Sequence, residues 1–166
     1  MPPSELERAV LDHKLHSAIG VFYHRSAGLI YQTLCTEQLL LYGGEGHPLF
    51  NKKEPGLKLE DIQTAAFIER TYGETSSRTD PPISMNSKAF ASSLEVTAIL
   101  IQTGKYIGFL PPYYAHNWCV RNEFKPLIAD QITIETELSH VKHRTPRNIT
   151  MTEAFSNQLL NILAKH

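Results

Sequence analysis

The sequence predicts an α/β fold, and three observations carry that reading. The first is the run S-S-L-E-V-T-A-I-L-I-Q-T-G-K-Y-I-G-F-L-P-P over residues 92–112. It reads as a helix, a glycine stop, a short strand and a proline stop, which is half of an α/β sheet unit. The second is the alternating segment I-T-I-E-T-E-L-S-H-V at 132–141, the period-two pattern of a half-exposed strand. The third is a set of Ser/Thr-x-x-Glu pairs, Ser4/Glu7, Ser92/Glu95 and Thr150/Glu153, each with the spacing of a capping box ahead of apolar residues.

Taken in order, Ser4/Glu7 opens a short helix through Leu6, Ala9 and Val10 that breaks near His13, and 15–21 reads as a buried strand. Residues 22–28 are a loop. A long strand over 29–42 ends at Gly43, Gly44 and Gly46, ahead of His47-Pro48-Leu49. A surface loop at 51–56 precedes one or two helical turns at 57–62 and a strand at 65–70. Residues 71–82, rich in Gly, Ser, Thr, Asp and Pro, form the least ordered internal stretch. A strand over 83–91 leads into the helix after Ser92. Its residues Leu94, Val96, Ala98, Ile99, Leu100 and Ile101 predict burial over most of its circumference. Gly104 suits a left-handed cap, 113–120 reads as helical, and 124–128 is a strand placed near an edge by Pro126. The stripe Met151, Phe155, Leu159, Ile162 packs a last helix onto the body.

Composition narrows the function. A chain of 166 residues fits one domain or two small lobes. Sixteen basic and seventeen acidic residues nearly cancel, unlike a self-sufficient nucleic-acid binder. A local basic cluster, Lys142, His143, Arg144 and Arg147, reads as a solvated turn. Two isolated cysteines, Cys35 and Cys119, suggest a reducing cytoplasm rather than a disulfide framework. No stretch approaches the ~20 apolar residues of a membrane span, and the first residues lack the pattern of a signal peptide.

The order S-x-E, apolar helix, G-x-x-I-G-F-L-P, then Tyr114-Ala115, resembles the effector-binding domain of LysR-type transcriptional regulators. Tyr106 stands where that family usually has a second glycine. The segment L-E-R-A-V-L-D-H-K-L-H-S-A-I-G resembles the family's helix-Gly-x-Leu-Asp segment, with His13 in place of the turn glycine and His16 in place of the aspartate. A strand ending in His-Pro-Leu resembles the family's first crossing between lobes, and 132–141 its return crossing.

The resemblance runs in order over essentially the whole chain. It implies a two-lobed, periplasmic-binding-protein-like α/β domain with two crossover strands. Lobe I would comprise 1–42 and 135–166, without its opening strand-helix-strand, and lobe II 43–134. It further implies an effector-sensing and oligomerisation domain that binds a small anionic ligand between lobes and controls transcription by population shift. The implied partners are the effector, further copies of the chain as homodimer or tetramer, and DNA only through a helix-turn-helix domain absent from this chain.

For such a cleft, helix N-termini and strand ends supply the contacts. Ser92 and Ser93 are the expected hydroxyl donors, Leu110 and Tyr113 the walls, and Phe22 and Ser26 the contribution of the other lobe. Ser92 acting only as a cap, and Tyr113 only as packing, remain open alternatives.

No metal, cofactor or catalytic group is expected. His13/His16 and His140/His143 are each three apart, but the first pair straddles a turn and the second points to opposite faces of a strand. Cys119 near His116 reads as a small hydrophobe rather than a nucleophile, and no phosphate-loop or serine-elbow motif is present. A stand-alone solute-binding or protein-interaction module is the alternative, and a small cysteine- or metal-dependent enzyme a weaker one.

Overall fold

A computed structural model describes residues 2–22, 24–52, 56–70 and 83–163. The stretch predicted at 71–82, and part of the loop predicted at 51–56, lie outside the described residues. The chain divides into two compact units: Met1–Glu37 with Thr136–His166, and Gln38–Glu135. Two long strands, β2 (Leu29–Gly44) and β7 (Thr133–His143), each contribute residues to both.

The second unit is a sheet covered by side chains on both faces. It contains α2 (Leu59–Thr64), β3 (Ala66–Arg70), β4 (Asn86–Ala91), α3 (Leu94–Gln102), β5 (Ile107–Leu110), α4 (Pro112–Val120) and β6 (Phe124–Pro126). Strand order is β2-β5-β3-β4, with β6 paired to the end of β2. β3 runs parallel to both β5 and β4, whereas β2 and β5 are antiparallel, with Leu40 opposite Leu110 and Gly43 opposite Ile107.

Successive residues go to opposite faces. Leu39, Leu41, Phe67, Ile107 and Phe109 join Leu49, Ile62 and Ile132 in one core. Tyr42, Ile68 and Leu110 join Ala98, Ile101 and Ala115 in the other. Burial of both faces explains why these strands read as continuous apolar runs.

Two glycines permit the close packing of α3. Gly104 takes φ +66, the left-handed cap expected of it. A Cβ on Gly44 would lie 2.1 Å from the carbonyl oxygen of Ile101.

The α3 helix is less enclosed than its composition predicts. Thr97, Ala98 and Ile101 face the sheet, while Ile99 is 61% and Val96 40% exposed. One sheet face can cover only one side of a helix, and among the described residues the outer side of α3 is left exposed at Val96 and Ile99. Pro126 ends β6 after three residues, and Leu127 and Ile128 continue as buried non-strand chain.

The first unit holds α1 (Pro3–Leu11), β1 (Ser17–Val21), the first part of β2, most of β7 and α5 (Ile149–Leu163). β1 and β7 are antiparallel, with Ala18 opposite Val141 and Ile19 opposite His140. The alternation expected of 132–141 holds at 134–137 but gives way to a buried run, Ser139, His140 and Val141. Helices cover both faces there: Val141 clusters with Val10 of α1, and the His140 ring lies 5.5 Å from Phe155 of α5.

The stripe expected to seat α5 does so only in part, through half-buried Leu159 and the contact of Phe155 with the His140 ring. Met151, Phe155 and Ile162 are 43%, 45% and 49% exposed, and Thr152 and Ser156 are the buried residues. Their hydroxyls donate to the carbonyls of Asn148 and Thr152, both at 2.8 Å, so small polar side chains can be buried without loss.

Capping also departs from the predicted boxes. Pro2 precedes α1, placing Ser4 within its first turn, while Asn148 rather than Thr150 caps α5 by accepting from the Met151 N–H at 3.0 Å. Asparagine two residues upstream offers a side-chain carbonyl oxygen at N-cap reach, and proline needs no cap at the first turn.

His140 is 1% exposed and its Nε2 has no hydrogen-bond partner among the described residues. Burial first, and the charge of Lys142 second, hold its pKa below the ordinary 6.5. The unfolded chain therefore takes up this proton before the folded one does. The stability contribution is complete above pH 6.5 and is lost as pH falls below it. Replacing His140 with leucine is expected to raise stability at pH 5 by about 1 kcal/mol and to flatten the acid limb of a pH-dependent urea titration. A wild-type acid limb in that variant would show that His140 does not titrate with unfolding.

Candidate functional site

Parallel strands place their C-terminal ends, and the helix N-termini that follow, along one edge of a sheet. In the second unit β3, β4 and β5 end at Arg70, Ala91 and Leu110, with Arg70 in register with Ala91. Ser92 and Ser93 follow β4 into α3, and Pro111-Pro112-Tyr113 follow β5 into α4. The topology thus brings Ser92, Ser93, Leu110 and Tyr113 to the ends of adjoining elements.

Their environments differ. Ser93, not Ser92, is the N-cap, its Oγ accepting from the Val96 N–H at 3.3 Å. Its hydroxyl also donates to Glu95, and that bond, with the residue's own backbone N–H, holds the Glu95 carboxyl below its usual range. Ser93 is therefore engaged on both sides. Ser92 is exposed and has no hydrogen-bond partner among the described residues. Leu110 is fully buried in the second unit's core, whereas Tyr113 is 69% exposed on the first turn of α4.

Sequence reasoning passed over Arg70. It is a half-buried guanidinium that closes β3 beside the α3 start. A cation as the last residue of an apolar strand was the available signal.

Phe22 and Ser26 lie in the first unit, on the loop between β1 and β2. That loop is anchored from beneath. The Ser26 N–H donates to the Tyr31 hydroxyl at 2.9 Å, and the Tyr31 hydroxyl donates to the nearly buried Glu7 carboxylate. Phe22 meets the Tyr31 ring edge-on at 5.8 Å, and the Arg25 guanidinium sits 5.7 Å from the ring's centre. Burial and then the bond to Glu7 push the Tyr31 phenol up, so it remains a donor at neutral pH.

Among the described residues of the second unit, one surface concavity of about 620 Å³ lies beside Ile99, Glu45 and Glu123, and another of about 560 Å³ beside His47, Asp61 and Lys105. Neither is lined by the serines or Tyr113. His47, from the His-Pro-Leu turn, is buried and accepts the Leu49 N–H at 3.1 Å on Nδ1. That bond makes it a turn-forming residue.

Among the described residues no three His, Cys, Asp or Glu side chains are placed to hold a metal ion. Burial raises the Cys119 thiol, which works against nucleophilic use. No described helix is long and apolar enough to cross a membrane.

Known proteins agree with this architecture. The chain is similar over 153 residues to the HTH-type transcriptional activator BauR of Pseudomonas aeruginosa, with 29% identity over 92% of this chain and 50% of that protein. It therefore spans about half the length of that relative. Among solved structures, the effector-binding domain of QuiR in complex with shikimate superposes with a TM-score of 0.79 at 15% identity, covering 100% of this chain and 80% of that one. The bromide-bound regulatory domain of HypT from Salmonella typhimurium gives 0.76 at 14%, covering 100% and 81%. At these identities the superpositions establish the fold alone, mixed α/β with periplasmic-binding-protein-like architecture. The family model for the LysR substrate binding domain matches residues 1–164, and the chain belongs to that family.

Proposed function

We propose that this chain is the effector-sensing and oligomerisation part of a LysR-type transcriptional regulator, and that it binds rather than transforms its ligand. The observation that carries the reading is the shared strand-end edge of the second unit, where α3 and α4 start and Arg70 ends β3. Helix N-termini and a guanidinium favour a small anion, a carboxylate above all. In this reading Ser92 and Ser93 contact the ligand's oxygens, Ser93 by exchanging its bond to Glu95. Tyr113 contacts its carbon frame, while Leu110, fully buried, supports the turn into α4 from the core. The two units correspond to the two lobes of the regulatory domain. The relatives named above are regulators, and the ligands named with the solved domains, shikimate and bromide, are small.

A thermal-shift screen of small carboxylic acids tests this. A true effector at a hundred times its Kd should stabilise the protein by about 2.7 kcal/mol. Ser92→Ala and Arg70→Gln are each expected to cut that affinity at least ~10-fold, and Ser92→Ala should leave the ligand-free Tm nearly unchanged. A carboxylate whose stabilisation survives both substitutions would place the site elsewhere.

Exposed Val96 and Ile99 on α3 support self-association. Native mass spectrometry should find a dimer or tetramer, and a monomer at micromolar concentration would count against that part of the proposal. DNA recognition is assigned to a helix-turn-helix domain elsewhere in such a regulator.

A further inference from the structure

The concavity of about 560 Å³ beside His47 lies at the N-terminal ends of β3 and β5, the sheet edge opposite Arg70 and Leu110. Ala66 opens β3 there, and Gly104 and Lys105 come just ahead of β5.

His47 is 5% exposed and lines this space. Its two ring nitrogens are in different situations. Nδ1 accepts the Leu49 N–H at 3.1 Å, in a turn that the Phe50 N–H also closes by donating to the His47 carbonyl at 2.9 Å. Burial holds the imidazole below its ordinary pKa, so the ring is neutral at pH 7. A neutral ring carries one proton, and an accepting Nδ1 puts it on Nε2. No described residue accepts from that Nε2–H, and the atom is not sealed in protein, which leaves the cavity as the place it faces. A side chain this deeply buried with an open donor leaves a place for an acceptor.

The rest of the lining narrows what kind of acceptor fits. Pro48, Leu49, Ala65 and Ala66 supply an apolar wall. Lys52 holds Asp61 at 2.8 Å, and the other oxygen of that carboxylate accepts the Lys58 N–H at 3.0 Å, so the acid of the lining is neutralised by its own partners. Lys105 is exposed at the rim, and its ammonium has no partner among the described residues. The cavity thus offers one uncharged donor, an apolar side and one unpaired cation. The lysines and an already protonated Nε2 work against a metal ion. A single negative charge on a short carbon frame meets all three features.

We propose that this cavity is a second ligand site, which takes a small monocarboxylate with one oxygen on the Nε2–H of His47 and its charge facing Lys105. The site shares no residue with the strand-end edge assigned to the effector, so either can fail without the other.

The test is an NMR titration of the full chain with sodium butyrate, read at the His47 ring and at the backbone amides of Ala66 and Lys105, with ionic strength held constant by sodium chloride. Saturable shifts are expected, largest at Nε2–H, and acetate should bind at least ~5-fold more weakly because it lacks two methylenes. His47→Asn separates the turn from the site. Asparagine accepts the N–H two residues on, as His47 does, but its shorter amide does not reach the place of Nε2. That change should weaken butyrate at least ~10-fold. Lys105→Gln should weaken it at least ~3-fold and, at an exposed side chain, keeps the test valid should the buried change cost stability. Ser92→Ala should leave butyrate binding here unchanged. No shift at the His47 ring, a shift matched by chloride, or wild-type affinity in Lys105→Gln would overturn the assignment.

Discussion

Gly44→Ala is expected to destabilise the protein by about 3 kcal/mol, read as a lowered urea midpoint at unchanged slope. The cause is a collision with backbone rather than with a flexible side chain. The added methyl would stand 2.1 Å from the Ile101 carbonyl oxygen and 2.9 Å from its carbon. Ile101 is fully buried on the last turn of α3, so α3 must move off β2 and open the core around Tyr42, Ile68 and Leu110. Gly46→Ala is the matched control. It has φ +86 but nothing within 4 Å of an added Cβ, so only the backbone term of about 1 kcal/mol applies. Equal losses in the two variants would show that α3 does not approach β2 this closely.

Tyr31→Phe should cost a similar amount, about 3 kcal/mol, although it removes a single oxygen. That oxygen has two partners. Without it the Glu7 carboxylate, 8% exposed, loses its donor, and the Ser26 N–H loses its acceptor. Much of the cost is the charge left behind, so Glu7→Gln in the Tyr31→Phe background should recover about 1 kcal/mol of it. Strict additivity of the two changes would show that the groups do not interact. The loop bearing Phe22 and Ser26 should also become more susceptible to proteolysis, because its tie to α1 runs through this hydroxyl.

The order of elements was readable in the sequence because helix and strand periods, glycines and prolines act locally. The long strand from 29, the left-handed Gly104 and the helices expected after Ser92 and over 113–120 follow from residues within one or two turns, although the strand runs on through Gly43 and Gly44. What could not be read was which side of each helix a sheet would meet. Apolar count suggested that α3 is enclosed and that Met151, Phe155 and Ile162 seat α5. Ile99 instead faces outward, and Thr152 and Ser156 face inward with their hydroxyls returned to the helix backbone.

Capping was predicted one or two residues off, since several Ser, Thr and Asn residues compete at each start and only backbone geometry chooses between them. For the candidate site, the serines and Tyr113 adjoin strand ends that motif spacing could locate. Arg70 belongs to the same edge through strand pairing, which spacing does not reveal. The contact between the rings of His13 and His143, with centroids 4.1 Å apart, is likewise long-range. Sequence proximity had grouped the histidines as 13 with 16 and 140 with 143.

The division of the chain has a consequence for how it is made. Gln38–Glu135 is one uninterrupted segment, whereas the other unit is assembled from both ends of the described fold. During synthesis the inner segment has all its residues once Glu135 has left the ribosome, and it can complete its sheet at that point. Strand β1 must wait, since its partner is β7, with Val21 opposite Leu138 and Ser17 opposite Lys142. The early-made α1 and the start of β2 therefore spend the translation of the inner segment with Val10 and Leu29 uncovered by Val141. At about 5–20 residues per second that exposure lasts on the order of ten seconds. The outer unit is begun before the inner segment and finished after it, and in that interval the growing chain is most open to misassociation at α1 and β1.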